Sequence, residues 1–237
     1  MIGKYRFHGD DVAADIREKY NFDGDLLNIF ANNQGPVVHK WHHYIPLYDQ
    51  YFSKFRGSNF KFLEIGVSKG GSLQIWREYF GPDATIMGID IDPDCAQFDG
   101  QAGMVRIGSQ DDPDFLNKVV DEMGGVDVVL DDGSHVMNHI RTSFHTLFPR
   151  LSLPGLYMIE DLHTAYWEDW GGGLDTPGNF FAMVSDLVTD LHGWTHKAPP
   201  RVASTNGQVT GVHIHDSIAV IDKGPKHKPT HSRVGSR

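Results

Sequence analysis

The chain has 237 residues, 40% hydrophobic and 22% charged, which suits one large domain with a full core and excludes wholesale disorder. Lys and Arg total 21 against 31 Asp and Glu, so the surface repels phosphate backbones and general nucleic-acid binding is disfavoured. The single cysteine, Cys95, excludes an internal disulfide framework and any multi-thiolate zinc site. No uncharged apolar run approaches the roughly 20 residues that span a bilayer, and the N-terminal MIGKYRFHGDD lacks a signal-peptide core; a cytoplasmic protein without membrane contact is expected.

Residues 1–38 are polar, with short helical candidates at Val12–Tyr20 and Asp25–Phe30. From Tyr44, apolar residues recur at Leu47, Tyr48, Tyr51 and Phe52, the spacing of an amphipathic helix. Short Val- and Ile-rich runs follow at Phe62–Ile65, Ile86–Ile89, Met104–Ile107, Val126–Leu130 and Leu156–Ile159. Helical candidates separate them at Ser72–Phe80, Asp112–Met123 and His139–Phe148. Such alternation predicts a parallel α/β sheet. Beyond Trp170 a Gly- and Pro-containing loop leads to a helix at Phe180–Leu191, then to strands at Val209–His215 and Ser217–Asp222 around a tight turn. The basic tail KGPKHKPTHSRVGSR has no apolar periodicity and reads as disordered. The expected architecture is α/β: a Rossmann-like, doubly wound, mostly parallel sheet with a late antiparallel strand pair. Residues 1–55 form an N-terminal helical cap, 56–222 the main domain and 223–237 the tail.

The first strand runs into Gly66-Val-Ser-Lys-Gly70-Gly71. Glycines there permit a tight turn and close approach of a ligand. The G-x-x-x-G-G spacing matches neither the dinucleotide fingerprint nor the phosphate-binding loop with its following lysine, which argues against a pyrophosphate-centred site. The second strand ends in Gly88-Ile-Asp90-Ile-Asp92, where an acid can accept hydrogen bonds from ribose hydroxyls. Glu64 is a carboxylate in an otherwise apolar strand. Together these features resemble the class I S-adenosylmethionine (SAM)-dependent methyltransferases. The resemblance assigns Glu64, Gly66, Ser68 and Gly70 to the cofactor loop and Asp90 to the ribose. By position after the third strand, it also places Ser109 near the adenine.

The fourth strand ends in Asp131-Asp132-Gly-Ser-His135 and the fifth in Glu160-Asp161-Leu-His163. In a parallel sheet these ends share one edge. If the strands are neighbours, Asp132, Glu160 and Asp161 converge, and three close carboxylates call for a cation. Hard oxygen ligands favour Mg²⁺, with Mn²⁺ or Ca²⁺ as competitors. Acids at strand ends also cap the following helices, a reading that accommodates Asp131, although Asp131 is counted here with the cofactor-binding residues. A sugar hydroxyl is scarcely ionised at neutral pH, so methylating it needs a metal, a base, or both; His135 is the candidate base.

The pair D-D-G-S-H and I-E-D-L, with K-W-x-x-H-Y-I-P-x-Y at Lys40–Tyr48, resembles the metal-dependent sugar O-methyltransferases of macrolide biosynthesis, the mycinamicin and tylosin enzymes. It also resembles related cephalosporin-pathway and rhamnosyl O-methyltransferases. The resemblance implies that Asp132, Glu160 and Asp161 bind Mg²⁺ with two vicinal sugar hydroxyls, that His135 is the general base, and that the protein is a homodimer or larger homo-oligomer. The segment before Lys40 is short against the family's large N-terminal domain. A compact enzyme acting on a monosaccharide, oligosaccharide or polysaccharide precursor is therefore expected, with the mycobacterial methylmannose enzymes as one candidate. The alternatives are a catechol-type O-methyltransferase, a nucleotide-dependent oxidoreductase, and a non-catalytic SAM- or nucleotide-binding protein. A phenol, with a pKa near 10, has less need of His135. Trp167, Trp170 and Tyr166 on the loop after the fifth strand are candidates for stacking on a sugar face.

Overall fold

The computed structural model describes residues 2–236. Seven strands form one sheet: β1 Lys61–Ile65, β2 Thr85–Asp90, β3 Met104–Ile107, β4 Val126–Asp131, β5 Leu151–Ile159, β6 Val209–His215 and β7 Ile218–Lys223. Their order is β3-β2-β1-β4-β5-β7-β6. The first five strands are parallel, and β7 runs antiparallel to both β5 and β6. The strand order reverses between β1 and β4, so a crevice opens beyond their C-terminal ends, the usual place for a ligand in such a sheet.

Side chains alternate between two hydrophobic layers, as the pleat requires. On one face Leu63, Ile65, Val129, Tyr157 and Ile221 meet three helices: α5 Pro113–Met123, α6 Met137–Leu147 and α7 Phe180–Leu191. On the other, Phe62, Val128, Leu130, Met158 and Val220 meet four helices: α1 Val12–Tyr20, α2 Asp25–Ala31, α3 Tyr44–Phe52 and α4 Gly71–Phe80. The amphipathic stripe of α3 puts Tyr44, Ile45, Tyr48 and Phe52 at 2% exposure or less, so the N-terminal helices complete one layer of the core. Local chemistry sets the helix ends. Asp11 accepts from the Ala14 N–H at 2.8 Å, and Asp112 accepts from the N–H groups of Asp114 and Phe115. Asn179 accepts from Ala182, while Gly124 closes α5 in the left-handed region.

Strand β5 starts five residues before the apolar run Leu156–Ile159. Exposed Leu153 and Pro154, after half-buried Ser152, interrupt the hydrophobic pattern there. The ladder with β4 absorbs them by shifting register between Val126 and Val128. Residues 224–236 form no helix or strand. No helix among the described residues is long and apolar enough to cross a membrane.

Candidate functional site

A cleft of about 300 Å³ lies over the β1–β4 crossing, at the lower end of the range for small-molecule sites. Three strand ends and one strap wall it. The glycine loop contributes Gly66–Lys69, the end of β4 contributes Asp132, Gly133 and His135, and the end of β5 contributes Glu160 and Asp161. The strap is the non-helical segment before α3 together with Tyr44, the first residue of that helix; Val37–Trp41 and Tyr44 line the cleft.

Gly66 is demanded by that crossing. Its φ is +98°, and a Cβ there would lie 2.1 Å from the backbone oxygen of Asp132, so no side chain fits. Ser68, His135 and Asp161 all sit in the left-handed region, with φ of +49°, +57° and +54°. Non-glycine residues seldom adopt that conformation, and such backbone concentrates at functional sites. Asp90 organises the loop: its Oδ2 accepts from the N–H groups of Val67 and Ser68 at 2.9 and 2.8 Å, and its Oδ1 accepts from Asp92 N–H.

The other residues assigned to the cofactor stand behind the wall. Glu64 is fully buried, accepting from Ser72 Oγ at 2.8 Å and Trp76 Nε1 at 3.0 Å on α4. Burial pushes its carboxyl up to about 7, against the opposing pull of Lys40, Trp76 and Ser72. Asp131 points to the α6 face and accepts from Gln110, Ser143 and Tyr157; burial raises its carboxyl despite those donors. Ser109 Oγ accepts from Asp111 N–H and shapes its own turn. Gly70 is the last residue before α4, at φ +78°.

Asp132, Glu160 and Asp161 all line the cleft, but Glu160, expected as a ligand with the other two, lies outside the group whose atoms come close enough to share one ion. Asp132, His135 and Asp161 can each offer a ligand atom within 4.8 Å of one another. The Nε2 atom of His135 stands 3.9 Å from Asp132 Oδ1 and 3.6 Å from Asp161 Oδ2. Glu160 is engaged differently. Both its oxygens accept from the Lys40 ammonium, at 3.1 and 3.0 Å, and the same ammonium is 2.5 Å from Asp132 Oδ2. Burial pushes the Glu160 carboxyl up and Asp132 adds to this, while Lys40 pulls it back. Burial works against the charged form of Lys40, yet Asp132 and Glu160 outweigh it and hold the amine well above its ordinary value. Lys40 therefore stays an ammonium.

Asp161 is gripped from the same strap. Its Oδ1 accepts from Tyr44 Oη at 2.7 Å and Trp41 Nε1 at 3.1 Å. Trp41 begins a ladder of rings, His163 at 5.6 Å, then Trp167 at 4.8 Å and Trp170 at 5.3 Å. His163 Nδ1 pairs with Ser217, and its buried Nε2 has no hydrogen-bond partner among the described residues.

Sequence reasoning assigned no site role to Lys40, Trp41 or Tyr44, and placed Gln110 only within the turn after the third strand that the resemblance sets near the adenine. The first three lie inside the motif Lys40–Tyr48, so their signal was present; their partners, 92 to 120 residues away, were not visible. Gln110 ties the β3 and β4 loops, donating to Asp131 at 3.1 Å and accepting from Ser134 N–H at 2.6 Å.

No family model matches the chain. It is 35% identical over 227 residues to the 8-demethyl-8-(2-methoxy-alpha-L-rhamnosyl)-tetracenomycin-C 3'-O-methyltransferase of Streptomyces olivaceus, covering 91% of this chain and 58% of that enzyme. It is 37% identical over 216 residues to the demethylmacrocin O-methyltransferase of Streptomyces fradiae, covering 84% and 53%. Among solved structures, the MycE methyltransferase of mycinamycin biosynthesis, in complex with Mg, SAH and mycinamycin VI, superposes with a TM-score of 0.75 at 29% identity, covering 92% of this chain and 62% of that one. The chain thus spans little more than half the length of the curated relatives it matches.

Proposed function

The chain is a homologue of these sugar O-methyltransferases, with their class I methyltransferase fold, and we propose that it transfers a methyl group from SAM to a sugar hydroxyl with the help of Mg²⁺. The carrying observation is the convergence of Asp132, His135 and Asp161 on one side of a cleft whose other side is the glycine loop. Hard carboxylate oxygens fit Mg²⁺, with Mn²⁺ and Ca²⁺ as competitors. The Gly66 turn, closed to any side chain, fits a cofactor that packs against backbone.

When bound, SAM supplies an electrophilic methyl on a sulfonium, and Mg²⁺ supplies a Lewis acid that lowers the pKa of a coordinated hydroxyl. The chain's own residues do the rest. The loop Gly66–Lys69 receives the cofactor, with Glu64 fixing the start of α4 behind it through Ser72 and Trp76, Asp90 on the ribose side and Ser109 on the adenine side. Asp132 and Asp161, with Glu160 beside them on Lys40, would hold the metal, which would in turn take vicinal hydroxyls of the acceptor. His135 Nε2 faces the space between Asp132 and Asp161 and takes the hydroxyl proton. The strap excludes water from above, and the ring ladder from Trp41 to Trp170 offers apolar faces to a pyranose. Positioning of acceptor oxygen against methyl is the main contribution of the protein.

The acceptor is read as a sugar carried on a larger small molecule, as the relatives' names state for their own substrates; an oligosaccharide or polysaccharide precursor is the finer alternative. The same reading makes the enzyme cytoplasmic and a homo-oligomer, the latter checked by sedimentation.

The experiment is calorimetric titration of SAM and Mg²⁺ into wild type and Asp132→Ala, with methyl-transfer assays on rhamnosides, free monosaccharides and oligosaccharides. Expected are SAM binding in both proteins, with Mg²⁺ binding and turnover in wild type alone, and loss of turnover with both ligands retained in His135→Ala. Absence of SAM binding in wild type sinks the assignment; turnover without metal discards the acidic site.

A further inference from the structure

Each of the three acids at the ends of β4 and β5 receives a donor from residues 40–44. Lys40 serves Asp132 and Glu160, while Trp41 and Tyr44 serve Asp161. The side chains of Lys40 and Glu160 are only 5% and 1% exposed, so their charges are poorly screened by solvent. A side chain of four methylenes loses rotamer freedom when threaded into such a place, and desolvating the ammonium costs several kcal/mol more. The contact needs a reason beyond adhesion of the strap.

We propose that Lys40 is the resident cation that sets the charge of the metal cluster and apportions its oxygens. With a divalent cation bound, the three carboxylates and the one ammonium carry two net negative charges, which that cation neutralises. Lys40 also occupies Asp132 Oδ2 and both oxygens of Glu160, so Asp132 Oδ1 turns to the side of His135 and Asp161. It acts through the acids and is a positioning residue. In a low-dielectric cluster the net charge decides which guest binds best, because like and opposite charges a few ångström apart interact far more strongly than in water. With a neutral residue at position 40, the cluster holds three negative charges and favours a trivalent ion.

This inference rests on the metal reading above, and the test separates the two. Mg²⁺ and Tb³⁺ are titrated separately by calorimetry into the full chain, Lys40→Met, Lys40→Arg and the double variant Lys40→Met/Glu160→Gln, with circular dichroism and SAM binding as checks on the fold. Lys40→Met raises the ratio of Tb³⁺ to Mg²⁺ affinity by about tenfold or more. Lys40→Arg keeps it near the wild-type ratio. The double variant, which removes one charge of each sign, brings it back. If Lys40→Met does not fold, Glu160→Gln alone decides from the other side, since it leaves one net negative charge and lowers the ratio. An unchanged ratio in whichever single variant folds overturns the charge-setting role while leaving the metal site standing. A wild type that binds no Mg²⁺ overturns the metal reading and this inference with it.

Discussion

The glycine loop after β1 and the strap before α3 wall the same cleft but are built in opposite ways. The loop is held by backbone groups and by one carboxylate on the adjacent strand: Asp90 ties Val67 and Ser68, and Gly66 N–H donates to Ile89 at 2.8 Å. The strap is held by side chains, Lys40, Trp41 and Tyr44, onto acids about a hundred residues away in sequence. A backbone-held wall depends on which residues can adopt its conformation. A side-chain-held wall depends on the charge state and geometry of what it grips. The first is fixed once the sheet forms; the second responds to whatever occupies the acids.

The sharpest way to break the loop side is Gly66→Ala. The added methyl meets Asp132 O at 2.1 Å in a backbone conformation of φ +98°, and neither side of the contact is a flexible side-chain end. Strand β1 must separate from the β4 terminus, so a loss of about 4 kcal/mol or more is expected, together with loss of SAM binding. Denaturant titration and calorimetry measure both. A folded variant with wild-type stability would show that the crossing is looser than its geometry states.

Glu64 lies where the two walls meet, under the loop and within the field of Lys40. Its carboxyl stands at about 7 against an ordinary 4.5. The folded state therefore holds a proton that the unfolded state has released, and stability falls as pH rises from about 4.5 through about 7. Glu64→Gln keeps the shape without that titration. Relative to wild type it should gain stability across this window, by up to about 3 kcal/mol above neutrality. Equal pH dependence in the two proteins, measured by urea denaturation from pH 5 to 8, would show that Lys40 keeps Glu64 ionised throughout.

How far the sequence spoke follows the same division. The alternation of strand and helix, the G-x-x-x-G-G turn and the acids after β4 and β5 are local patterns, and local patterns are what period and spacing report. Helix α7 and strand β3 begin and end at the expected residues. The convergence of Asp132 with Asp161 needed one further assumption, that β4 neighbours β5, and the ladder Val128↔Leu156 to Asp131↔Ile159 meets it. Lys40 had no such handle. A lysine beside Trp41 reads as solvated, and only the folded chain brings it to Glu160. The opposite facing of Asp131 and Asp132 was legible in principle, since adjacent strand residues alternate faces, and it explains why one acid meets α6 while the other meets the cleft.

Tyr44→Phe tests the strap with the smallest change. The phenol donates to Asp161 Oδ1 at 2.7 Å and accepts from Asp161 N–H at 3.3 Å, so it holds both the carboxylate and the left-handed backbone of that residue. Burial comes first, then Asp161 and Glu160, in pushing its hydroxyl far above the ordinary tyrosine value, so it remains a donor at every accessible pH. Removing it leaves Trp41 as the strap's remaining donor to Asp161, and the ring itself, fully buried in α3, stays in place. A hydrogen bond to a charged group contributes about 1.5–3 kcal/mol, and partial replacement by Trp41 places the expected loss near 1–2 kcal/mol. If the strap is held through the acids, Tyr44→Phe and Trp41→Phe are coupled: together they cost more than the sum of the single changes, because Asp161 then has no strap donor. Simple additivity would mean that Asp161 is held by its own turn and that the strap only rests on it, which would make the two walls alike after all.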